Sequence, residues 1–207
     1  MFGAITKATV VLGLVGAACS ATVTECSAGQ DAIVLAAVGS ETTVPYGWID
    51  FCQRYRGECA DDARAAHDVE LTDAVFKKIQ RINAYVNKTV AAVSDADHWG
   101  VVDQWDYPTD GKGDCEDFAL LKRHMLIEEG FPRQALLMSV VKDKNGDGHA
   151  VLTVKTSRGE FVLDNMTDAV KLWTSTPYRF VKRQSQQNQN AWVAIGVPTS
   201  APMYVSK

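Results

Sequence analysis

Cys115 is the residue of this sequence best placed for nucleophilic chemistry. It lies in the segment GKGDCEDFALLKRHMLIEEG, residues 111–130, directly after Asp114 and before Glu116 and Asp117. A helix N-terminus favours a thiolate, because the helix dipole and the unpaired backbone N–H groups there stabilise negative charge. The same N–H groups can bind an oxyanion. Taken alone, however, a cysteine on a helix is more often a small buried hydrophobic residue.

A partner base decides between these two roles, and His149 is the best candidate among the four histidines. His124 lies nine residues along the same helix, about 13 Å away along the axis and on the opposite side. His67 and His98 lie in polar segments, where solvated histidines are usual. His149 opens a strand after the NGDG turn, and a following hairpin places Asp164 opposite it or one diagonal step away. The sequence therefore predicts a Cys-His-Asp triad.

Two common metal-site patterns are excluded. The segment DKNGDG, residues 143–148, resembles the start of an EF-hand loop, but the twelfth position is Val154 and not a bidentate glutamate. No C-x-x-C pair is present, so a structural zinc site of the common kind is not expected. The three acids around Cys115 either bind a cation or are the first-turn acids that any helix favours.

Hydrophobic periodicity predicts the elements that position these residues. Apolar residues recur at three-and-four spacing from residue 71 to 93, which indicates an amphipathic helix with Thr72 as its N-cap. A second helix runs from Cys115 to Glu129 and stops at Gly130. Beyond Pro132 the period changes to two, which predicts short strands at 135–142, 149–156, 160–166, 178–184 and 191–196. The expected class is α+β, with a helical N-terminal half packed on a mostly antiparallel β-sheet.

The N-terminal part of the chain predicts export. The apolar run from Ala8 to Cys19 is shorter than the about 20 residues of a membrane span and precedes a small-residue cleavage zone. We therefore expect a signal peptide at residues 1–21, without a membrane anchor, and a periplasmic or secreted protein. Cys52 and Cys59 flank an Arg-Gly turn signal, which predicts a disulfide in an oxidising compartment. Residues 22–68 are otherwise expected to be irregular, with one short helix around residues 48–55.

The formal net charge of −4, without a Lys/Arg-rich face, excludes a nucleic-acid surface.

The motif W-x5-W-x2-P followed by GDCEDFA-x2-K, GHAVLTV and VLDNM resembles the bacterial transglutaminase-like cysteine peptidases, which include LapG-like periplasmic proteases. The resemblance covers about residues 69–192 and implies a papain-like/transglutaminase-like fold. Together with the N-terminal apolar run, the resemblance divides the chain into a signal peptide (1–21), an N-terminal extension (22–68) and a cysteine peptidase domain (69–207).

By this resemblance Cys115 is the nucleophile, His149 the general base and Asp164 its orienting acid. The resemblance also implies a calcium ion beside the nucleophile, and the matching ligands are Asp114, Glu116 and Asp117. The implied partners are a protein or peptide substrate, such as a surface adhesin, and an inner-membrane regulatory receptor. The Cys115 backbone N–H is one expected oxyanion donor, and Trp105 and Asn83 are candidates for the second.

Three other functions stay open at this stage. The same triad can pass its acyl group to an amine, as in transglutaminases, and nothing in the sequence separates an amine from water as the acceptor. A non-catalytic binding module would use the aromatic residues Trp99, Trp105 and Tyr107 as an interaction surface. A calcium-dependent structural protein would use the acids without the thiol.

Overall fold

The computed structural model describes residues 1–3, 35–60, 65–196 and 205 of the chain. The predicted signal peptide, apart from its first three residues, lies outside the described residues. The chain divides into two units, residues Met1–Ala32 and Ile33–Lys207, and every element below belongs to the second. None of the described helices combines the length and the apolar composition of a membrane span.

The described part of the second unit contains four α-helices and nine strands. The helices are α1 (Tyr46–Arg54), α2 (Asp73–Thr89), α3 (Asp95–His98) and α4 (Cys115–Glu128). A short parallel pair consists of β2 (Ala91–Ala92) and β3 (Lys112–Gly113). The main sheet consists of β1 (Val38–Thr42), β4 (Leu136–Lys142), β5 (Gly148–Thr156), β6 (Gly159–Asp164), β7 (Thr167–Leu172), β8 (Arg179–Gln184) and β9 (Trp192–Ile195).

The main sheet is antiparallel throughout, in the order β1-β9-β8-β4-β5-β6-β7. The α+β class with a mostly antiparallel sheet is therefore confirmed. The strands β1 and β7 are absent from the sequence-based expectation. Both lie at the edges of the sheet and bury few side chains, so they lack the alternating apolar pattern that marks a half-buried strand.

The two long helices follow the expected pattern closely. The Thr72 side chain accepts a hydrogen bond from the Val75 N–H at 3.2 Å, as expected of an N-cap. Helix α4 ends at Glu128, and Gly130 takes a left-handed conformation with φ of 87° just beyond it. Both helices contribute to one apolar core with the inner residues of β4 and β5.

Residues assigned above to an N-terminal extension pack into the same core. Strand β1 pairs with β9, and α1 buries Trp48 and Phe51 among residues of α2 and α4. The predicted disulfide between Cys52 and Cys59 is present, and it joins the end of α1 to the turn that follows. The Cys59 carbonyl accepts a hydrogen bond from the Asn190 side chain at 2.9 Å. This segment is thus attached to the sheet through β1 and to the connection between β8 and β9 through Cys59.

Candidate active site

Cys115 is the first residue of α4 and is 1% exposed. Its sulfur accepts a hydrogen bond from the Ala150 backbone N–H at 3.3 Å, which connects α4 directly to β5 beside His149. Its thiol donates to the Glu116 carboxylate, with 3.1 Å between Sγ and Oε2. The N–H of Ala150 and the helix dipole stabilise a thiolate, whereas the charge of Glu116 opposes it.

His149 and Asp164 form a buried hydrogen-bonded pair. The distance from His149 Nε2 to Asp164 Oδ1 is 3.0 Å, and the two residues are 1% and 4% exposed. The register of β5 and β6 pairs Leu152 with Leu163, so Asp164 lies one diagonal step from His149, as the hairpin argument predicts. Because Nε2 is taken by Asp164, Nδ1 is the nitrogen left for Cys115, and it has no hydrogen-bond partner among the described residues.

Two further groups hold the Asp164 carboxylate. The Tyr178 hydroxyl donates to Oδ2 at 2.6 Å, and the Met166 backbone N–H donates to Oδ1 at 3.0 Å. The Tyr178 ring also lies against His149, with 5.3 Å between the ring centroids. No local pattern in the sequence identifies Tyr178, because this residue reaches the site from the segment before β8 through the sheet topology.

The contacts of His149 and Asp164 determine the protonation states of the two side chains. Burial lowers the pKa of His149, but the hydrogen bonds and charges of Asp164 and Cys115 outweigh it and raise the pKa to about 9. Burial acts to raise the pKa of Asp164, yet the hydrogen bonds from His149, Tyr178 and Met166 hold it below its ordinary value. An imidazolium facing a carboxylate is therefore the stable state of the pair at neutral pH.

Both candidates for a second oxyanion donor have other partners. The Asn83 amide donates to the backbone carbonyls of Thr167 and Asp168, each at 3.1 Å, and so joins α2 to β7. The Trp105 indole donates to Asp103 at 3.2 Å and is fully buried. The Cys115 N–H at the start of α4 is the donor supported by position.

The acids beside Cys115 belong to a larger cluster. Ligand oxygens of Asp95, Asp103 and Glu116 lie within 4.8 Å of one another, and the same holds for Asp95, Asp114 and Asp117. Asp95 is the first residue of α3 and Asp103 follows α3, in the long polar segment between α2 and α4. Their carboxylates and their place in this segment are the available sequence signals, but the sequence of such a segment does not specify the contact with α4.

The acid cluster is built closely around the start of α4. Asp117 accepts hydrogen bonds from the Asp106 N–H at 2.7 Å and from the Asp114 N–H at 3.4 Å. Gly113 passes so close that a Cβ added to it would lie 2.5 Å from Asp117 Oδ2. Only glycine fits there without a shift, which explains the glycine that precedes Asp114 in the motif.

The chemistry of this cluster fits a hard cation. Burial and neighbouring acids raise the pKa of Asp117 to about 8 and hold that of Glu116 well above its ordinary value. Burial likewise raises the pKa of Asp95 and of Asp103 to about 6. Asp95 Oδ1 and Glu116 Oε1 are buried without a hydrogen-bond partner among the described residues. Calcium takes six to eight oxygen ligands of this kind.

Without a cation, the protein is expected to lose stability as the pH rises from about 4 to about 8. The raised pKa values of Asp95, Asp103 and Asp117 mean that the folded state binds more protons in this range than the unfolded state. The stabilising protons are fully bound below about pH 4 and are lost as the pH rises. In the presence of a chelator, the Tm is expected to be lower at pH 7 than at pH 5 by at least about 2–4 °C. A constant or rising Tm would contradict this expectation.

The aromatic loop does not form one surface. Trp99 is 50% exposed and stacks on His98, whereas Trp105 is fully buried and Tyr107 is half-buried. Trp105 packs against Trp48 and Trp192 in the core. An interaction surface made from all three aromatic residues is therefore absent from the described structure.

Comparison with known proteins gives a consistent family. A sequence model of the bacterial transglutaminase-like cysteine proteinases matches residues 38–200. The chain is also similar to calcium-bound LapG of Legionella pneumophila, with 20% identity and a TM-score of 0.51 over 61% of this chain and 74% of that chain. Another LapG structure from that organism has 24% identity and a TM-score of 0.50, over 58% and 69%. No protein of curated function matches the sequence.

Proposed function

The chain belongs to the family of bacterial transglutaminase-like cysteine proteinases, and on that premise we propose that it is an exported peptidase acting through Cys115, His149 and Asp164. The fold of that family, expected from the sequence motifs, is confirmed by the similarity to the LapG structures. The observation that carries the proposal is the convergence of the three residues in one buried site. The 3.0 Å bond from His149 to Asp164 and the raised pKa of His149 support it most directly.

In the proposed reaction the Cys115 thiolate attacks the carbonyl carbon of a peptide bond, and the oxyanion forms near the N-terminus of α4. The C–N bond then breaks, and the His149 imidazolium gives its proton to the leaving amine. Water, deprotonated by the neutral imidazole, attacks the thioester and releases the acid product. Asp164 keeps the imidazole in one orientation throughout and stabilises its charged form.

We also propose a calcium ion in the acid cluster of Asp95, Asp103, Asp114, Glu116 and Asp117. One of the LapG structures similar to this chain is calcium-bound, and the buried carboxylates of this chain suit such an ion. When bound, the ion would supply positive charge beside the nucleophile. It would favour the ionised form of Glu116, whose pKa is otherwise held well above its ordinary value, and offset that charge beside the sulfur 3.1 Å away.

Transfer of the acyl group to an amine is the second candidate reaction, since it uses the same triad. A protein substrate is expected because the family is one of peptidases. We propose an envelope or surface protein, such as an adhesin, because the peptidase itself is proposed to be exported. A non-catalytic binding module is less well supported, because the aromatic surface that it needs is mostly buried.

The proposal is tested by comparing the envelope and secreted proteins of source cells that carry wild type or Cys115→Ser. A fragment that appears only with wild type, and disappears with a chelator, identifies the substrate and supports hydrolysis. A product joined to an amine instead would select acyl transfer. Identical protein patterns under all conditions would count against both reactions.

Replacing Tyr178 with phenylalanine is expected to lower the cleavage rate by about 3- to 10-fold with little loss of stability. The change removes one of the hydrogen bonds that hold the Asp164 carboxylate, while those from His149 and the Met166 N–H and the ring contact with His149 stay. The matched control is Tyr85→Phe, because Tyr85 is exposed on α2. A rate equal to wild type in Tyr178→Phe would show that Tyr178 does not hold Asp164 for catalysis.

A further inference from the structure

Lys122 is a buried cation that the proposed reaction does not use. It lies on α4, two turns after Cys115, and is 0% exposed. Its Nζ has no hydrogen-bond partner among the described residues, and lies 5.7 Å from the centre of the Phe118 ring. A buried ammonium without a partner is costly, so an apolar residue of the same size would serve the fold better.

The surroundings of Lys122 lead to the proposed active site. The charges that act on it come from Asp164 at the end of β6 and Asp168 in β7. Asn87, on α2, donates to the Asp164 carbonyl at 3.0 Å and to the Asp168 carboxylate at 2.9 Å. The Oδ1 atoms of Asn83 and Asn87 are buried acceptors without partners among the described residues. The side chains of Asn83 and Asn87 thus hold the turn that carries Asp164 to α2, and Lys122 lies buried on the face of α4 that also carries Cys115.

We propose that Lys122 is a positioning residue of the active site, whose buried ammonium shares the charge of Asp164 with His149. This inference rests on the proposed function. Lys122 itself gives and takes no proton during the reaction. Because Asp164 then holds the imidazolium less tightly, the proton on Nδ1 passes more readily to the leaving amine as the C–N bond breaks.

The effect has a characteristic pH range. Burial lowers the pKa of Lys122 to about 7, although the charges of Asp164 and Asp168 act to raise it. The ammonium is therefore present below neutral pH and lost above it. His149 faces Cys115, Asp164 and Tyr178, and the Lys122 charge reaches it through Asp164. A residue that only fills space would show no such dependence on pH.

The test compares wild type with Lys122→Met at about pH 6 and about pH 8.5, using kcat and the NMR signal of the His149 ring proton bonded to Asp164. At the lower pH the variant is expected to lose about 10-fold in kcat and to show a shifted ring-proton signal. At the higher pH the two proteins are expected to converge. The variant should be at least as stable as wild type, because it no longer buries an unpaired charge. Lys122→Arg, which stays charged, is expected to restore the rate at the lower pH.

The matched control is Lys78→Met, because Lys78 lies on α2 in a partly exposed ion pair with Glu129. It should change neither measurement. The proposal is wrong if Lys122→Met has the wild-type rate and ring-proton signal at both pH values, or the same loss at both. It is equally wrong if Lys122→Met, Lys122→Gln and Lys122→Arg all fail to fold, since the ammonium then serves the fold. A wild type without peptidase activity would overturn the proposed function, while the His149 signal would still report on Lys122.

Discussion

The Cys115→Ser variant is expected to lose about 10⁴-fold or more in cleavage rate while keeping the wild-type fold. Serine is close in size to cysteine and fits the same position at the start of α4, so the Tm should change little. The loss follows because a hydroxyl in place of the sulfur is a far weaker nucleophile beside His149. The measurement is the rate of fragment formation from the identified substrate, together with thermal unfolding.

His149→Asn is expected to cost nearly as much, since nucleophile and base act as one unit and their losses do not add. His124→Asn is the matched control, because His124 lies on the outer side of α4 near Glu58 and Glu128. Retention of more than about a tenth of the wild-type rate in Cys115→Ser would assign the nucleophile to another residue. A similar loss in His124→Asn would indicate damage to the helix and not to the site.

Removal of calcium is expected to lower the cleavage rate by about 100-fold or more. The reason is the acid cluster beside the Cys115 sulfur, in which Asp95 and Asp103, with pKa values of about 6, are ionised at neutral pH without the ion. A negative charge about 4 Å from a thiolate opposes it by about 4 kcal/mol at an effective dielectric constant of 20. Calcium at 100 times its Kd is also expected to stabilise the fold by about 2.7 kcal/mol, provided that it binds only the folded state. Cleavage assays and thermal unfolding, with chelator and with calcium restored, measure both effects.

The Asp103→Asn variant tests calcium binding without changing the acids that cap the start of α4. The asparagine keeps an oxygen for the Trp105 indole but loses one charge of the acid cluster, so calcium affinity is expected to fall about 10-fold or more. Asp147→Asn, in the exposed DKNGDG turn, is the matched control and should bind calcium as wild type does. A chelator without effect on rate and Tm would show that the acids are only first-turn and loop residues.

The sequence was informative where the signals are local. Cys115 follows a helix-start pattern, and the spacing across one short hairpin is enough to bring Asp164 to His149. The structure brings these three residues together, while their catalytic roles remain predictions. The two edge strands carried no such pattern, because few of their side chains are buried.

The rest of the site depends on long-range packing, which spacing along the chain does not encode. Asp95 and Asp103 reach the acid cluster through the path of a loop, and Tyr178 reaches Asp164 from the segment before β8. Lys122 resembles any polar residue on a helix until the burial of that helix face is known. The Asn83 amide looked available to an oxyanion until its backbone partners in β7 were visible.

The most direct test of the proposed Cys115–His149 ion pair is the ultraviolet absorbance of the thiolate as a function of pH, with calcium present. The signal is the difference between wild type and Cys115→Ser, and it does not require a reagent to reach the buried sulfur. We predict a stronger thiolate signal in wild type than in His149→Asn at neutral pH, because the variant lacks the imidazolium that faces the sulfur. An equal thiolate signal in the two proteins would contradict the proposed mechanism.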